Sequence, residues 1–200
     1  MRAHGKILGL LMENEVKEPA PKYDHISPEE YLLIERASVT RSEYYRGNVV
    51  AMAGASFSHN QILANLQTTI GVFLKRTNCQ ILTTDMRVSI SSRQAYVYPD
   101  ALIFCGEPQL EDQNADSLLN PSVIFEVLSP STHKHDAGYK FSFYQQIPSL
   151  SEFILIDSRQ RASQIFRKQR DGLWQEAKAV SPEQEIFIET IGLTLAMDDI

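Results

Sequence analysis

Two acids interrupt what would otherwise be core strands, and they limit how this chain can fold. Asp100 lies within YVYPDALIFCG and Glu126 within PSVIFEVLSPST. Each sits in a run of β-branched, aromatic and aliphatic residues that reads as a buried strand. A carboxylate is costly to desolvate unless it is paired, protonated or bound to a metal. Two such acids on neighbouring strands point to a hard-cation site at the edge of a sheet. The competing reading sends one acid to solvent by strand alternation and pairs the other with a base. On these two residues alone it carries at least equal weight.

The chain's 200 residues suffice for one domain with a sizeable core, and 43% apolar content is ordinary for a globular protein. No apolar run approaches the roughly 20 residues that a membrane helix needs. The apolar stretch Ile7 to Met12 is too short for a signal-peptide core, and acids follow it in place of a small-residue cleavage site. A cytoplasmic protein with no membrane partner is the expectation. Cys79 and Cys105 form neither a disulfide framework nor a zinc spacing, and both lie in strand-like runs. Buried free thiols are therefore expected. A net charge of −6, from 19 basic and 25 acidic residues, argues against a protein that coats nucleic acid. It does not exclude an enzyme that touches a few phosphates.

Residues 1–25 are charged, contain Pro19 and Pro21, and lack periodicity, so a flexible tail is expected there, followed by a single domain over 26–200. Ser27-Pro28-Glu29-Glu30 signals a helix start with a capping box, and that helix should run to about Ala37. The segment from Ser42 to Met52, with Gly47-Asn48 in its middle, predicts a hairpin. Helical spacing of Ile62, Leu63, Leu66, Ile70, Phe73 and Leu74 predicts a long helix over roughly 58–76, capped by Ser56 or Ser58. Strands are expected at 79–83, 86–90, 96–104 and 123–128, with a polar loop over 106–120. A helix over about 135–146 is stopped by Pro148, and strands at 152–157 and 164–168 form a further hairpin. Short edge strands close the chain, around Trp174, 186–188 and 193–196. This order predicts an α/β (α+β) class with a mixed sheet.

Three further residues can carry chemistry. Lys140 follows the Glu126 strand on a helix, and its long stem can reach back towards it, where a lysine orients or deprotonates water. Its local spacing favours a plainer role, an i, i+4 ion pair with Asp136. Glu43 begins the hairpin and His59 begins the long helix; singly, each is more often structural.

These pieces together resemble the Uma-type endonuclease-like family, a bacterial branch of the PD-(D/E)XK restriction-endonuclease-like superfamily. The matching pieces are SEYYRGNVV, the His59 helix, YPDALIF, PSVIFEVLSPST, the DxxxKxxxY helix and EFILID, over roughly Ser27 to Lys168. The resemblance implies a restriction-endonuclease-like core: a central mixed sheet flanked by helices, here with an added N-terminal helix and hairpin and C-terminal strands. It also implies cleavage of nucleic acid phosphodiesters with Mg²⁺, for which Mn²⁺ substitutes. The PD motif falls on Pro99-Asp100 and the acidic position on Glu126, with the Val127 carbonyl as a further metal ligand. Where the superfamily motif has a lysine, this chain has Leu128, and Lys140 is the match on the following helix. Glu43 and His59 match the family's upstream acid and histidine. Ser129, Ser131 and Thr132 match its loop, as turn and capping residues with phosphate contact as a secondary role. Tyr144 reads as packing and Asp157 as a turn residue.

The function expected from this resemblance is a metal-dependent endonuclease, with DNA the favoured substrate. A homodimer would supply the two sites that a duplex cut needs. The alternative is a catalytically inactive module that keeps the fold for binding or regulation, which the negative charge and the absence of a basic tract favour. A metal-dependent hydrolase of a small phosphoester is a third reading.

Overall fold

The computed structural model describes residues 25–52, 54–128, 135–180 and 185–200, with the backbone alone for 135–137 and 178–180. Residues 1–24 of the expected N-terminal tail, the loop residues Ser129, Ser131 and Thr132, and the side chain of Asp136 lie outside the described residues.

Local signals set the first elements. Ser27 caps helix α1 (Pro28–Ala37) in a reciprocal capping box with Glu30. Strands β1 (Ser42–Tyr45) and β2 (Asn48–Ala51) form the hairpin, with Tyr45 paired to Asn48. The turn is therefore Arg46-Gly47, one residue earlier than the sequence suggests. Both residues take left-handed φ, 48° and 97°, as a two-residue type I′ loop demands. Ser56 caps helix α2 (Phe57–Leu74) by accepting from the His59 amide. The buried stripe of α2 is His59, Leu63, Leu66, Ile70 and Leu74, one helical face.

The run over 96–104 does not form one strand. Pro99 lacks a ladder donor, and the chain breaks there into β5 (Ala95–Val97) and β6 (Ala101–Cys105). The two pieces join different sheets. One sheet has five strands in the order β2-β1-β5-β4-β7, with β4 at Arg87–Ile90 and β7 at Ser117–Leu118 inside the expected loop. The other has six, β11-β10-β9-β8-β6-β3. Here β3 is Cys79–Thr83, β8 Val123–Leu128, β9 Glu152–Asp157, β10 Ser163–Lys168 and β11 Trp174–Val180. Strands β8 and β9 are parallel while their other neighbours are antiparallel, so the sheet is mixed. Strand β8 is buried along its whole length, which explains its nearly continuous apolar sequence. The helix expected over 135–146 is a π-helical turn, His135–Lys140, that runs into α3 (Phe141–Tyr144). Strands β12 (Ile186–Ile188) and β13 (Leu193–Leu195) form a last hairpin.

Two cores follow from strand alternation. Phe125 and Val127 of β8 face the α2 stripe, together with Ile154, Ile156 and the β12–β13 hairpin. Ile124 and Leu128 face the other way, against Phe141, Phe143 and Tyr144 and against Val88, Ile90 and Val97 of the five-stranded sheet. The six-stranded sheet is thus packed on both faces.

The expectation of free thiols is overturned. Strands β3 and β6 pair with Cys79 directly opposite Cys105, and the two form a disulfide. Closing a loop of 26 residues constrains the unfolded chain, typically by about 2–4 kcal/mol. Alkylation under denaturing conditions should therefore label neither cysteine until reductant is added. Reduction should lower the unfolding free energy by about 2–4 kcal/mol in a urea titration. Quantitative labelling without reductant would contradict the pairing.

Candidate active site

The break at Tyr98-Pro99-Asp100 builds the site. It carries the chain from one sheet to the other and leaves Asp100 at the mouth of β6, beside β8. Ala101 pairs with Phe125, so Asp100 stands level with Glu126 on the adjoining strand. The Thr84 amide fixes the Asp100 carbonyl at 3.0 Å. Alternation turns Glu126 towards the core between the sheets, the face of Ile124 and Leu128. Leu128, standing where the superfamily motif has lysine, fills space in that core.

The cation arrives from elsewhere. Lys140 Nζ lies 2.8 Å from Glu126 Oε1 and 2.9 Å from Glu43 Oε1, and it donates to the Tyr98 carbonyl at 3.1 Å. Glu43 comes from β1 of the five-stranded sheet, so the ammonium bridges the two sheets. All three of these side chains are buried. The Tyr45 hydroxyl donates to Glu43 Oε2 at 2.7 Å, and the Tyr98 amide donates to Glu43 Oε1 at 3.0 Å. The Tyr144 hydroxyl donates to Glu126 Oε1 at 2.7 Å. On the open side, Asp100 Oδ2 accepts from the Val127 amide at 2.7 Å, and His59 Nε2 approaches it at 3.1 Å. The Asp100 side chain keeps 17% of its surface exposed, more than its buried neighbours.

The electrostatics favour a cation. Glu43 and Glu126 bring two carboxylates against the Lys140 ammonium, and Asp100 adds a third on the adjoining strand. An ammonium has three N–H donors, and here three acceptors meet them. For Lys140 to reach a water or a phosphate oxygen it must give up one of these contacts. Burial, and then the negative charge of Glu126, push the Tyr144 phenol well above its ordinary pKa, so it stays a donor. The carboxylates of Asp100, Glu126 and Glu43 are hard oxygen donors, which fits Mg²⁺ in chemistry. Among the described residues no group of three or more His, Cys, Asp and Glu is arrayed to hold a metal. Magnesium asks the protein for only one or two carboxylates and takes water and substrate oxygens for the rest.

A second buried network stands behind the first. The Tyr98 hydroxyl donates to Glu35 Oε1 at 3.0 Å and accepts from Arg87 Nη1 at 3.1 Å. Arg87 also pairs with Asp116 at 2.8 Å. Burial raises the Tyr98 phenol to about 12, with Arg87 opposing and Glu35 reinforcing the shift. The backbone of Tyr98 thus touches Glu43 and Lys140 while its side chain is fixed on the far side.

The structure therefore gathers Glu43, Glu126 and Lys140 at bonding distance and sets Asp100 with His59 beside them. Val127 contributes its amide to Asp100. Ser129 lies outside the described residues. Asp157 accepts from the Arg159 amide and from Gln160, a turn role as its sequence suggests. Tyr45, Tyr98 and Tyr144 were not marked as site residues by their sequence. Tyr144 does pack, but its hydroxyl also holds Glu126; its position one helical turn past Lys140 was the available signal.

Comparison with known proteins matches residues 28–198 to the family model described as "Uma2: Putative restriction endonuclease". Two Synechocystis sp. proteins are similar in sequence. "Uncharacterized protein sll1609" is 34% identical over 157 residues, covering 78% of this chain and 89% of that protein. "Uncharacterized protein slr1290" is 31% identical over 180 residues, covering 90% and 93%. In structure the chain resembles a "putative nuclease belonging to DUF820" from Anabaena variabilis, with a TM-score of 0.70 at 18% identity, over 87% of this chain and 96% of that one. This likeness establishes the fold.

Removing the ammonium leaves two buried carboxylates without it. Lys140→Met should cost about 3–5 kcal/mol of unfolding free energy. Adding Glu126→Gln to that variant should recover part of the loss, which a double-mutant cycle by urea titration measures. Strict additivity of the two substitutions would contradict the coupling.

Proposed function

Because the chain belongs to the Uma2 family, we propose that it is a metal-dependent nuclease that hydrolyses nucleic acid phosphodiester bonds, with DNA the first candidate substrate. The observation that carries this reading is the convergence of Lys140 on Glu43 and Glu126, with Asp100 on the adjoining strand. Asp100 and Glu126 would hold Mg²⁺, with Glu43 in support. The ion would supply charge neutralisation at the phosphoryl oxygens and a more acidic water.

The chain's own residues supply orientation and proton handling. Tyr144 fixes the Glu126 carboxylate through Oε1, and Tyr45 fixes Glu43 through Oε2. The Val127 amide and His59 hold Asp100 in place. Lys140, released from one of its three acceptors, presents an N–H donor to the attacking water or to a developing phosphoryl charge. A homodimer belongs to this proposal, since one site cuts one strand. So does a cytoplasmic location, although the Cys79–Cys105 disulfide pulls against it, such bonds being rare in that compartment. Among the described residues no helix is long and apolar enough to cross a membrane.

One observation favours a second reading. The Lys140 ammonium meets three protein acceptors, as in a nuclease fold kept for binding alone. Nicking of supercoiled plasmid separates the two. With Mg²⁺ or Mn²⁺ the wild type should nick, chelation should abolish it, and Asp100→Ala and Lys140→Ala should each lower the rate by about 10²–10⁴-fold. Activity that persists in both variants would refute the site assignment. No cleavage of DNA or RNA, together with no metal binding by calorimetry, would leave the binding module.

A further inference from the structure

A chain with a net charge of −6 must hold a polyanion through local cations. Several basic side chains around the site are already committed. Lys140 is buried between carboxylates, Arg87 pairs with Asp116, and Arg93 pairs with Glu29 and Glu111. Arg41 differs. Its side chain keeps 46% of its surface exposed, and its guanidinium lies over the Tyr98 ring, 5.5 Å from the centroid. Its charged partner among the described residues is Asp85, 3.5 Å from Nε, and that carboxylate is itself 79% exposed. So long and so solvated a pair is weak. The Nη donors meet no protein acceptor among the described residues.

Three observations place Arg41 beside Asp100. Strands β1 and β5 are antiparallel, with Tyr45 against Ala95 and Tyr44 against Tyr96. Counted on, that register brings Arg41 level with Pro99. Tyr98, under the guanidinium, gives its carbonyl to Lys140 and its amide to Glu43. Asp85 follows Thr84, whose amide binds the Asp100 carbonyl. The Met52 amide donates to the Arg41 carbonyl at 3.0 Å and so extends the hairpin by one residue. Alternation then puts Arg41 on the side of Glu43. A guanidinium laid on a ring is oriented and weakly hydrated, and its planar fork matches two phosphate oxygens.

We infer that Arg41 is a substrate-binding residue whose guanidinium contacts the non-bridging oxygens of a backbone phosphate flanking the scissile one. This rests on the nuclease reading and deepens it. There the ion and Lys140 serve the scissile phosphate, and a cation at the level of Pro99 meets its neighbour along the strand. The contact positions the strand without reading its bases, so it appears in KM and in the salt dependence.

The test is steady-state cleavage of a fluorescent oligonucleotide, single-stranded and duplex, by the full chain with Mg²⁺ at several KCl concentrations. Arg41→Gln should raise KM about ten-fold, with kcat changed by less than about two-fold. The slope of log KM against log salt should fall by about 0.7–0.9, the loss of one phosphate contact. Arg41→Lys keeps the charge and should keep the slope. Asp85→Asn removes a competing carboxylate and should leave KM unchanged or lower it. Arg76→Gln, just past the far end of α2, makes the same charge change away from the site and should keep the wild-type slope. An unchanged slope in Arg41→Gln, or an equal fall in Arg76→Gln, would overturn the inference and leave the nuclease reading standing. So would a loss confined to kcat, or a KM in Asp85→Asn raised as far as in Arg41→Gln, which would make Arg41 a structural ion-pair partner. If the wild type binds without cleaving, anisotropy of the same oligonucleotides reads the same slopes, and the nuclease reading alone fails. A wild-type protein that neither cleaves nor binds either oligonucleotide would overturn both.

Discussion

The Lys140 ammonium is the contact on which the site's geometry depends. It draws Glu43 from one sheet and Glu126 from the other to within 3 Å of a single atom. It also takes the carbonyl of Tyr98, in the stretch where the chain crosses between those sheets. Each carboxylate alone would be expensive to bury, and the lysine alone equally so. Together they are tolerable only with short distances and with further hydrogen bonds on the remaining lone pairs. Tyr45, Tyr144 and the Tyr98 amide supply those bonds.

The surrounding fold serves that arrangement in physical terms. Strand β8 is central and buried, so Glu126 is held on rigid backbone. Pro99 ends one strand and frees the next, which sets Asp100 at a strand mouth with partial exposure. The Tyr98 side chain is pinned by Glu35 and Arg87, whose own partner is Asp116. The order is one of tolerance: a wholly buried pair of acids with their lysine, then a partly exposed acid with its histidine. The chemistry proposed for the site needs that gradient, because the substrate must enter on the open side.

Much of this was readable in the residues, and the parts that were not have physical causes. Caps at Ser27 and Ser56 and the strands at 79–83, 123–128 and 152–157 follow from local pattern and fall where it puts them. The run over 96–104 misled because its apolar character is continuous; Pro99 was the sign of a break, but composition does not tell which sheet each half joins. Lys140 illustrates a similar limit. Local spacing offers Asp136, and only tertiary packing brings Glu43 and Glu126 to it. A buried tyrosine and a buried phenylalanine leave the same hydrophobic pattern, so the hydroxyl roles of Tyr45, Tyr98 and Tyr144 were hidden. The Cys79–Cys105 pair depends on strand register, which spacing between two distant cysteines does not encode.

Among the described residues, the Lys140 ammonium stands between two carboxylates with the Asp100 carboxylate on the adjoining strand, and the proposed function puts a divalent ion on Asp100 and Glu126. Anomalous diffraction from a crystal soaked in Mn²⁺ measures this directly. The predicted result is a single peak within bonding distance of the Asp100 and Glu126 carboxylates, with Lys140 still beside them. Full Mn²⁺ occupancy elsewhere on the protein, with Asp100 still closed on His59 and Lys140 on both glutamates, would contradict it.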